Sequence, residues 1–561
     1  MRVPPGVSPA DFAAALKQFE AAIGKEWVFS SDEDVDLYRD SYSPFWHENE
    51  EPIPSAAVAP DNAEEVQKIA RIANTYKIPL WTISTGKNLG YGGSAPLLSG
   101  SVVLDLKRMN RVLEVNDKNH YVLVEPGVSY FDLYRYIQDK GLKVWIDPPD
   151  PGWGSLIGNA LERGGGYTPM RDHFDAHCGM EVVLANGDLV RTGMGALPNS
   201  KTWQQYKYGF GPYVDGIFSQ SNFGIVTKMG FWLYPQPEAY LSGNVGVSKH
   251  DDLFALVEIF ANLVNSGIVQ ATTNVVSPIA YGPPDPELNA LRASGSTKDI
   301  DDYVATKNLA YWSVALPLYG PARVIAAQWE YAKQRFSVIP GVRFEDRASY
   351  RFPLDASQLA QIANPVPFGV PSLATFSIGG PRSQGHMWFS PIIPMTGEAV
   401  LEAQKVFDQV ARDLGSSTGS VGGFPIWSFF ARAFVIIYFF PIEHDIEKKP
   451  HKSRNLQTVG EGFGGARMGR VPHAYGLHVR HHGCIFLQQS RAAAAARSDE
   501  GRARSERHSR RGKKRHLAQG HQKDDRVKAK FRFSKCVKQR VPTTYTRLGA
   551  GDENPAWRKR R

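Results

Sequence analysis

Residues 81–93 read Trp-Thr-Ile-Ser-Thr-Gly-Lys-Asn-Leu-Gly-Tyr-Gly-Gly, and the rest of the chain is organised around them. A short apolar run of Ile78, Pro79, Leu80, Trp81 and Ile83 leads in. The residues after Ile83 are dense in glycine and small hydroxyl side chains and have no hydrophobic period. An apolar run stopped by glycine predicts a strand opening into a loop. Glycine lets backbone N–H groups turn inward and approach a ligand closely, which makes a concave anion site without a helix. A diphosphate is the natural occupant. A mobile surface turn is the plainer alternative, but Tyr91 stands among Gly90, Gly92 and Gly93, where flexibility alone has no use for a large phenol. The stretch is read as a cofactor loop.

Working outward, residues 8–23 carry Phe12, Leu16, Phe19 and Ile23 at helical spacing. A second helix is expected from Asp61 as N-cap, with Glu64 in the capping-box position and Val66, Ile69, Ile72 and Ala73 on its buried face. Beyond the loop, residues 101–106 and 121–124 read as strands, the latter closed by Pro126 and Gly127. Ser129 then caps a helix through Ile137 that stops at Gly141. Such alternation predicts an α/β or α+β first part.

Two more glycine-rich patches lie further along. One holds Asp147-Pro-Pro-Asp150, Gly152-Trp-Gly154, Gly158-Asn159 and Gly164-Gly-Gly166-Tyr167; the other runs from Phe218 through Gly224, Ile225 and Val226. Strand termination accounts for Gly187 and Gly193 but not for the triple run ending at Gly166. Three patches, each beside a β-rich run, predict separate walls of one cofactor groove. After about Pro237 the glycine clusters thin out. Asp252 is read as the cap of a helix burying Leu253, Leu256, Val257, Phe260, Leu263 and Val264, and alternating helices and strands continue to the mid-440s. This predicts a second α/β domain covering the first, a usual way to close a site.

At 561 residues the chain has room for two or three cores. Hydrophobic content of 42% and charged content of 22% fit a soluble globular protein. The net charge of +9 is concentrated beyond His451, so it does not mark the body as a binder of nucleic acid. Three cysteines, Cys178, Cys484 and Cys536, form no CxxC pair and imply neither a zinc site nor a disulfide framework, and Cys178 is expected to be structural. Neither a signal-type apolar core nor a membrane-spanning run is apparent, which makes the cytoplasm the default address, with the periplasm open if the chain is exported alongside a partner.

At these loops the chain resembles the vanillyl-alcohol oxidase and 4-cresol methylhydroxylase family of FAD-linked oxidoreductases, which includes eugenol oxidases and hydroxylases. The matching stretches are Ser84-Thr-Gly-Lys-Asn-Leu-Gly-Tyr-Gly-Gly93, Val124-Glu-Pro-Gly-Val128, Asp150 with Gly158-Asn159, and Gly164-Gly-Gly-Tyr-Thr168. Gly179-Met-Glu-Val182, residues 191–197, residues 218–228 and Gly385-His-Met-Trp-Phe-Ser-Pro391 continue the likeness, which reaches to about Asn455. It implies an α+β fold, with a two-subdomain FAD-binding part over residues 1–237, a substrate cap over 238–455 and an aberrant basic tail over 456–561.

Residue by residue, the resemblance implies that Ser84, Gly86, Lys87, Asn88, Gly90 and Gly92 hold the FAD diphosphate through backbone amides. Pro126, Gly127, Gly158, Asn159, Gly166, Tyr167, Gly224 and Ile225 complete the cofactor walls. Tyr91 falls on the oxygen of a phenolic substrate and Asp150 where the family keeps a carboxylate near the flavin. His386 falls where vanillyl-alcohol-type members carry FAD covalently; the cresol enzyme uses a tyrosine there, so the histidine points to the oxidase and eugenol branch. His47 loosely matches an N-terminal histidine that assists this linkage. No metal is implied. The implied reaction is oxidation or hydroxylation of a para-substituted phenol such as eugenol or vanillyl alcohol. The phenolate releases hydride from its benzylic or allylic carbon, and water adds to the resulting quinone methide. Oxygen or a small cytochrome c would take the electrons, and family members are often homo-oligomers. Without the motif, His386 would read as a packed core histidine, Asp150 as a turn residue, and Tyr167, Tyr206 and Tyr208 as ordinary buried aromatics.

The family's second phenolate tyrosine, followed by arginine, has no counterpart near the C-terminal end. Read literally, residues 497–514 are a basic arm suited to nucleic acid, and His473, His478, His481 and His482 resemble a metal cluster. The genetic code gives another reading. Residues 468–489 can be back-translated so that a one-base shift yields Trp-Gly-Glu-Tyr-Arg-Thr-Pro-Met-Ala-Phe-Met-Ser-Asp-Ile-Met-Gly-Ala-Tyr-Ser-Phe-Asn-Asn, the missing segment. Its tyrosine-arginine pair falls over Val471, Pro472 and His473. The same shift turns residues 503–510 into Leu-Asp-Pro-Asn-Gly-Ile-Leu-Ala. A shifted frame from near residue 455 is therefore expected, leaving this polypeptide poorly active or inactive. The rival readings are a sugar-lactone or lactate oxidase of the same fold and an inactive product with a nucleic-acid-binding tail.

Overall fold

The strand Val102–Asp105 is buried at every position, the pattern of a strand covered on both faces. The computed structural model, which describes residues 2–442 apart from 44, 90–92, 282–284, 378–384 and 414–424, sets it between Ala56–Val58 and Leu80–Ile83, both parallel to it. Val28–Phe29 closes one edge of this four-stranded sheet in antiparallel sense. The helices Pro9–Ile23 and Ala63–Tyr76 share its core through Phe12, Phe19, Val66 and Ile69. Ser8 caps the first helix. The second is capped one residue later than the sequence suggests: Asn62, in extended backbone, accepts from the Glu65 amide, and Glu65 rather than exposed Glu64 reaches back to the Asp61 N–H at 2.8 Å.

A second sheet runs Val112–Asn116, Tyr121–Val124, Gly224–Trp232, His177–Leu184, Leu189–Arg191, antiparallel throughout. The helix Tyr130–Asp139 packs on it under a Ser129–Asp132 capping box. The third sheet has seven strands with the order Arg343–Arg351, Ala239–Val247, Trp312–Gly320, Asn274–Val276, Ile426–Trp427, Ala433–Ile436, Ile392–Pro394. Helices and strands alternate along this part, yet every described pairing is antiparallel. It is therefore α+β rather than the α/β arrangement that alternation suggested. The helices Asp252–Asn265, Ala322–Phe336 and Gly397–Asp413 share its core with Phe434, Tyr311 and Trp312. Asp252 is the first residue of its helix rather than the cap, and it accepts from the Lys249 amide.

Tyr91, Gly90, Gly92, the histidines beyond 442, Cys484, Cys536 and the whole basic tail lie outside the described residues. Among the described residues no helix is long and apolar enough to cross a membrane.

Candidate active site

The loop that leaves the strand Leu80–Ile83 meets the segment around Gly158. Ser84 and Gly86 leave the strand; Gly86 has φ +67° and Gly93 φ +47°, conformations that favour glycine. Ser94 Oγ donates to Gly86 O at 3.2 Å, and Trp81 Nε1 donates to Gly93 O at 3.4 Å, so the loop folds back on itself. Lys87 and Asn88 are exposed. Lys87 Nζ lies 5.2 Å from the Trp153 ring centroid. Against this loop packs the short helix Leu156–Leu161: a Cβ on Gly158 would lie 2.3 Å from Ser84 Oγ. Ser155 caps that helix through the Gly158 amide and donates its buried hydroxyl to Pro126 O at 2.6 Å, which docks the turn at Pro126 and Gly127. A Cβ on Gly127 would come within 2.5 Å of Lys107 O. Leu161 O accepts from the Gln220 amide, and Arg163 donates to Ser219, which brings in the patch before Gly224 and Ile225. The second and third predicted walls are thus hydrogen-bonded to each other, and the first packs against the second where Gly158 meets Ser84, although Ile225 packs into the core of the first sheet.

Asp150 and Tyr167, separated in sequence, meet. The Tyr167 hydroxyl donates to Asp150 Oδ2 at 2.6 Å. Trp427 and Phe429 stand edge-on to the Tyr167 ring with centroids at 5.6 and 5.7 Å. Burial pushes the Asp150 carboxyl up from its usual range, and the Tyr167 hydrogen bond offsets only part of this. Burial together with the neighbouring carboxylate holds the Tyr167 phenol well above its usual value, so Tyr167 stays a donor.

His386 opens the strand His386–Phe389 and is buried. Its ring meets Tyr42 edge-on at 5.4 Å, and Tyr42 also contacts Phe376. A side chain on Gly385 would overlap the Tyr42 ring. Burial lowers the His386 pKa, which favours the neutral, nucleophilic imidazole. The N-terminal loop thus reaches His386 through Tyr42. His47 lies beside Arg39, and its amide donates to Glu51 at 2.8 Å. Tyr206 and Tyr208 are exposed rather than buried. Cys178 is buried, donates to Trp203 O at 3.4 Å, and has its thiol pushed up to about 12 by burial.

Sequence reasoning named Asp147 only as part of a glycine-rich patch and passed over His173 and Tyr130. The three form a buried polar cluster behind Asp150, with His173 Nε2 at 3.3 Å from Asp147 Oδ2 and Nδ1 at 3.2 Å from the Tyr130 hydroxyl. The available signal was the polar run Arg171-Asp172-His173 just after the triple glycine ending at Gly166. No group of three or more His, Cys, Asp or Glu side chains suited to a metal occurs among the described residues.

The FAD binding domain family matches residues 54–193. The flavoprotein subunit of 4-cresol dehydrogenase (hydroxylating) from Pseudomonas putida is 36% identical over 401 residues, 70% of this chain and 76% of that protein. A crystal structure of p-cresol methylhydroxylase with substrate bound superposes with a TM-score of 0.70 at 31% identity, covering 82% of this chain and 89% of the other. The 4-ethylphenol oxidase from Gulosibacter chungangensis, in complex with isoeugenol, gives 0.67 at 33% identity, covering 82% and 88%. Fold and sequence thus define an FAD-linked oxidoreductase. The chain belongs to the vanillyl-alcohol oxidase and 4-cresol methylhydroxylase family.

The residues present fit FAD. At Gly158 and Gly127 a Cβ would fill the space where loops close on one another, and the left-handed Gly86 turns the chain in a half-exposed loop. Residues 84–88 would hold the diphosphate end with Gly158 and Asn159 beside them, and the buried, neutral-leaning His386 is suited to a covalent link.

Proposed function

We propose that this chain's fold serves oxidation or hydroxylation of para-substituted phenols such as 4-alkylphenols, eugenol or vanillyl alcohol. The observation that carries the reading is the Asp150–Tyr167 pair, a carboxyl raised by burial and set beside an aromatic wall of Trp427 and Phe429. The names of the relatives support it, since two act on cresol and one on 4-ethylphenol. Bound FAD supplies the hydride acceptor. Tyr91 holds the phenolate oxygen, and the aromatic wall keeps water from the ring. Asp150, with its proton affinity raised, takes the proton from the benzylic hydroxyl or from the water that adds to the quinone methide. In a water-poor site such groups act more strongly than they would in bulk solvent. His386 carries the flavin covalently, and oxygen or a cytochrome accepts the electrons.

The proposal extends to frame, assembly and address. The frame of this sequence shifts near residue 455, so the intact-frame form carries the full activity; resequencing the gene with an unchanged frame would remove the shift from the proposal. The chain self-associates, and an apolar face at residues 206–223 supports that. Its address is the cytoplasm, or the periplasm if it travels with a cytochrome.

The test is Asp150→Asn in the intact-frame form. Turnover of a para-alkylphenol is expected to fall by roughly 10²–10⁴-fold with FAD content unchanged. Undiminished turnover would remove Asp150 from the chemistry. Denatured protein is expected to keep its yellow colour, with the flavin on the peptide containing His386.

A further inference from the structure

We propose that Asp147 and His173 are positioning residues for Asp150, acting through Tyr167. The proposal rests on the reading of Asp150 as the proton acceptor and extends it to the loop that tunes it. Asp147 Oδ1 accepts from the Thr168 amide at 2.8 Å, directly after Tyr167. A Cβ on Gly166 would fall 2.3 Å from the Asp147 carboxyl, so the loop backbone lies directly on this side chain. Asp147 Oδ2 faces His173 Nε2 at 3.3 Å.

On its other side, His173 Nδ1 lies 2.5 Å from Asn159 Oδ1, and the His173 amide donates to Gly164 O at 3.2 Å. The Gly164 amide in turn donates to Asn159 O at 2.9 Å. The Thr168 end of loop 164–168 is therefore held by the Asp147 side chain, while the Gly164 end is held by the His173 amide and, through Asn159, by the His173 ring; Tyr167 sits between the two ends. Among the described residues, the charged and titratable groups facing the pair are Arg171, Tyr130 and Tyr167, with Tyr319 from the seven-stranded sheet. Asp147, His173 and Thr168 are all buried, which makes the loop stiff where Tyr167 must stay within hydrogen-bond reach.

The sign separates this role from simple electrostatics. Removing the charge of Asp147 by itself would lower the proton affinity of a nearby carboxyl. Letting Tyr167 swing away would raise it, because Asp150 would lose the bond that offsets its burial.

The test is an infrared titration of the Asp150 carboxyl in the full chain, with the band assigned by its loss in Asp150→Asn. Asp147→Asn and His173→Gln should each move the titration midpoint to higher pH, in the direction of Tyr167→Phe and by no more than that variant. Adding Asp147→Asn to Tyr167→Phe should give no further shift. An unmoved or lowered midpoint in Asp147→Asn, or a shift that adds to that of Tyr167→Phe, overturns the proposal. If Asp147→Asn does not fold, His173→Gln decides by the same criterion, with Tyr167→Phe/His173→Gln as its double variant. The readout needs no turnover, so a failure of the phenol chemistry would show separately as activity retained in Asp150→Asn.

Discussion

Gly158 shows what a single atom does at this site. Its missing Cβ is what lets the helix Leu156–Leu161 touch Ser84, because that carbon would lie 2.3 Å from Ser84 Oγ. Gly158→Ala is expected to cost about 1–3 kcal/mol of stability by overpacking and to weaken FAD binding. Ser84→Gly in the same chain should restore much of both, as read by denaturant unfolding and flavin titration; an additive loss in the double variant would mean the contact is unimportant. The motif containing Gly158 was visible in the sequence, but the atom it accommodates was not. Asp150 and Tyr167 were each legible as motif members. Their hydrogen bond was not, because it depends on how the chain between them closes. The pairing of Asp147 with His173 was missed for the same reason, since a buried polar cluster leaves no periodicity.

The strand His177–Leu184 carries a charge at its centre. Fully buried Glu181 receives Arg191 at 2.7 Å and Lys228 at 2.9 Å from the strands on either side. Burial pushes its carboxyl up, but the hydrogen bonds from Lys228 and Arg191 outweigh this, so it sits below its ordinary value. A lowered carboxyl stabilises the fold above its unfolded pKa, and that stability is lost as pH falls through the folded pKa. Glu181→Gln should therefore cost about 1–3 kcal/mol at pH 7 and flatten the loss of stability on acidification. Urea midpoints at neutral and acid pH would check it, and an equal loss at both would contradict it. Strand and helix positions were legible wherever periodicity was strong, as at Tyr121–Val124 and Pro9–Ile23. Cap residues slipped by one at Asn62 and Asp251, where two polar residues in a row offered the sequence equal choices. Whether the cap strands ran parallel was not legible, because alternation with helices is common to both arrangements.

Over the whole molecule, residues 206–223 stand out. Tyr206, Tyr208, Phe210, Tyr213, Val214, Ile217 and Phe223 are exposed, Phe210 to 92%. The segment is nonetheless strapped down: Tyr213 bonds His177 at 3.1 Å, and buried Asp215 meets the same imidazole at 3.1 Å. Together these side chains expose on the order of 700 Å² of largely apolar surface, near the roughly 800 Å² each partner gives to a standard interface. Self-association through this face predicts that Phe210→Ser lowers the mass measured by light scattering at micromolar concentration without lowering the melting temperature. An unchanged mass would contradict self-association through this face. Tyr206 and Tyr208 read from the sequence as ordinary buried residues, since composition does not tell an aromatic core from an aromatic surface.

The most direct measurement mixes the intact-frame protein, carrying its FAD, with a para-alkylphenol in the absence of oxygen and follows the flavin absorbance. The account predicts rapid bleaching in the native chain, bleaching slowed by roughly 10²-fold or more in Asp150→Asn, and no response to D-lactate. Bleaching by D-lactate, with the flavin left oxidised by every phenol tried, would contradict it.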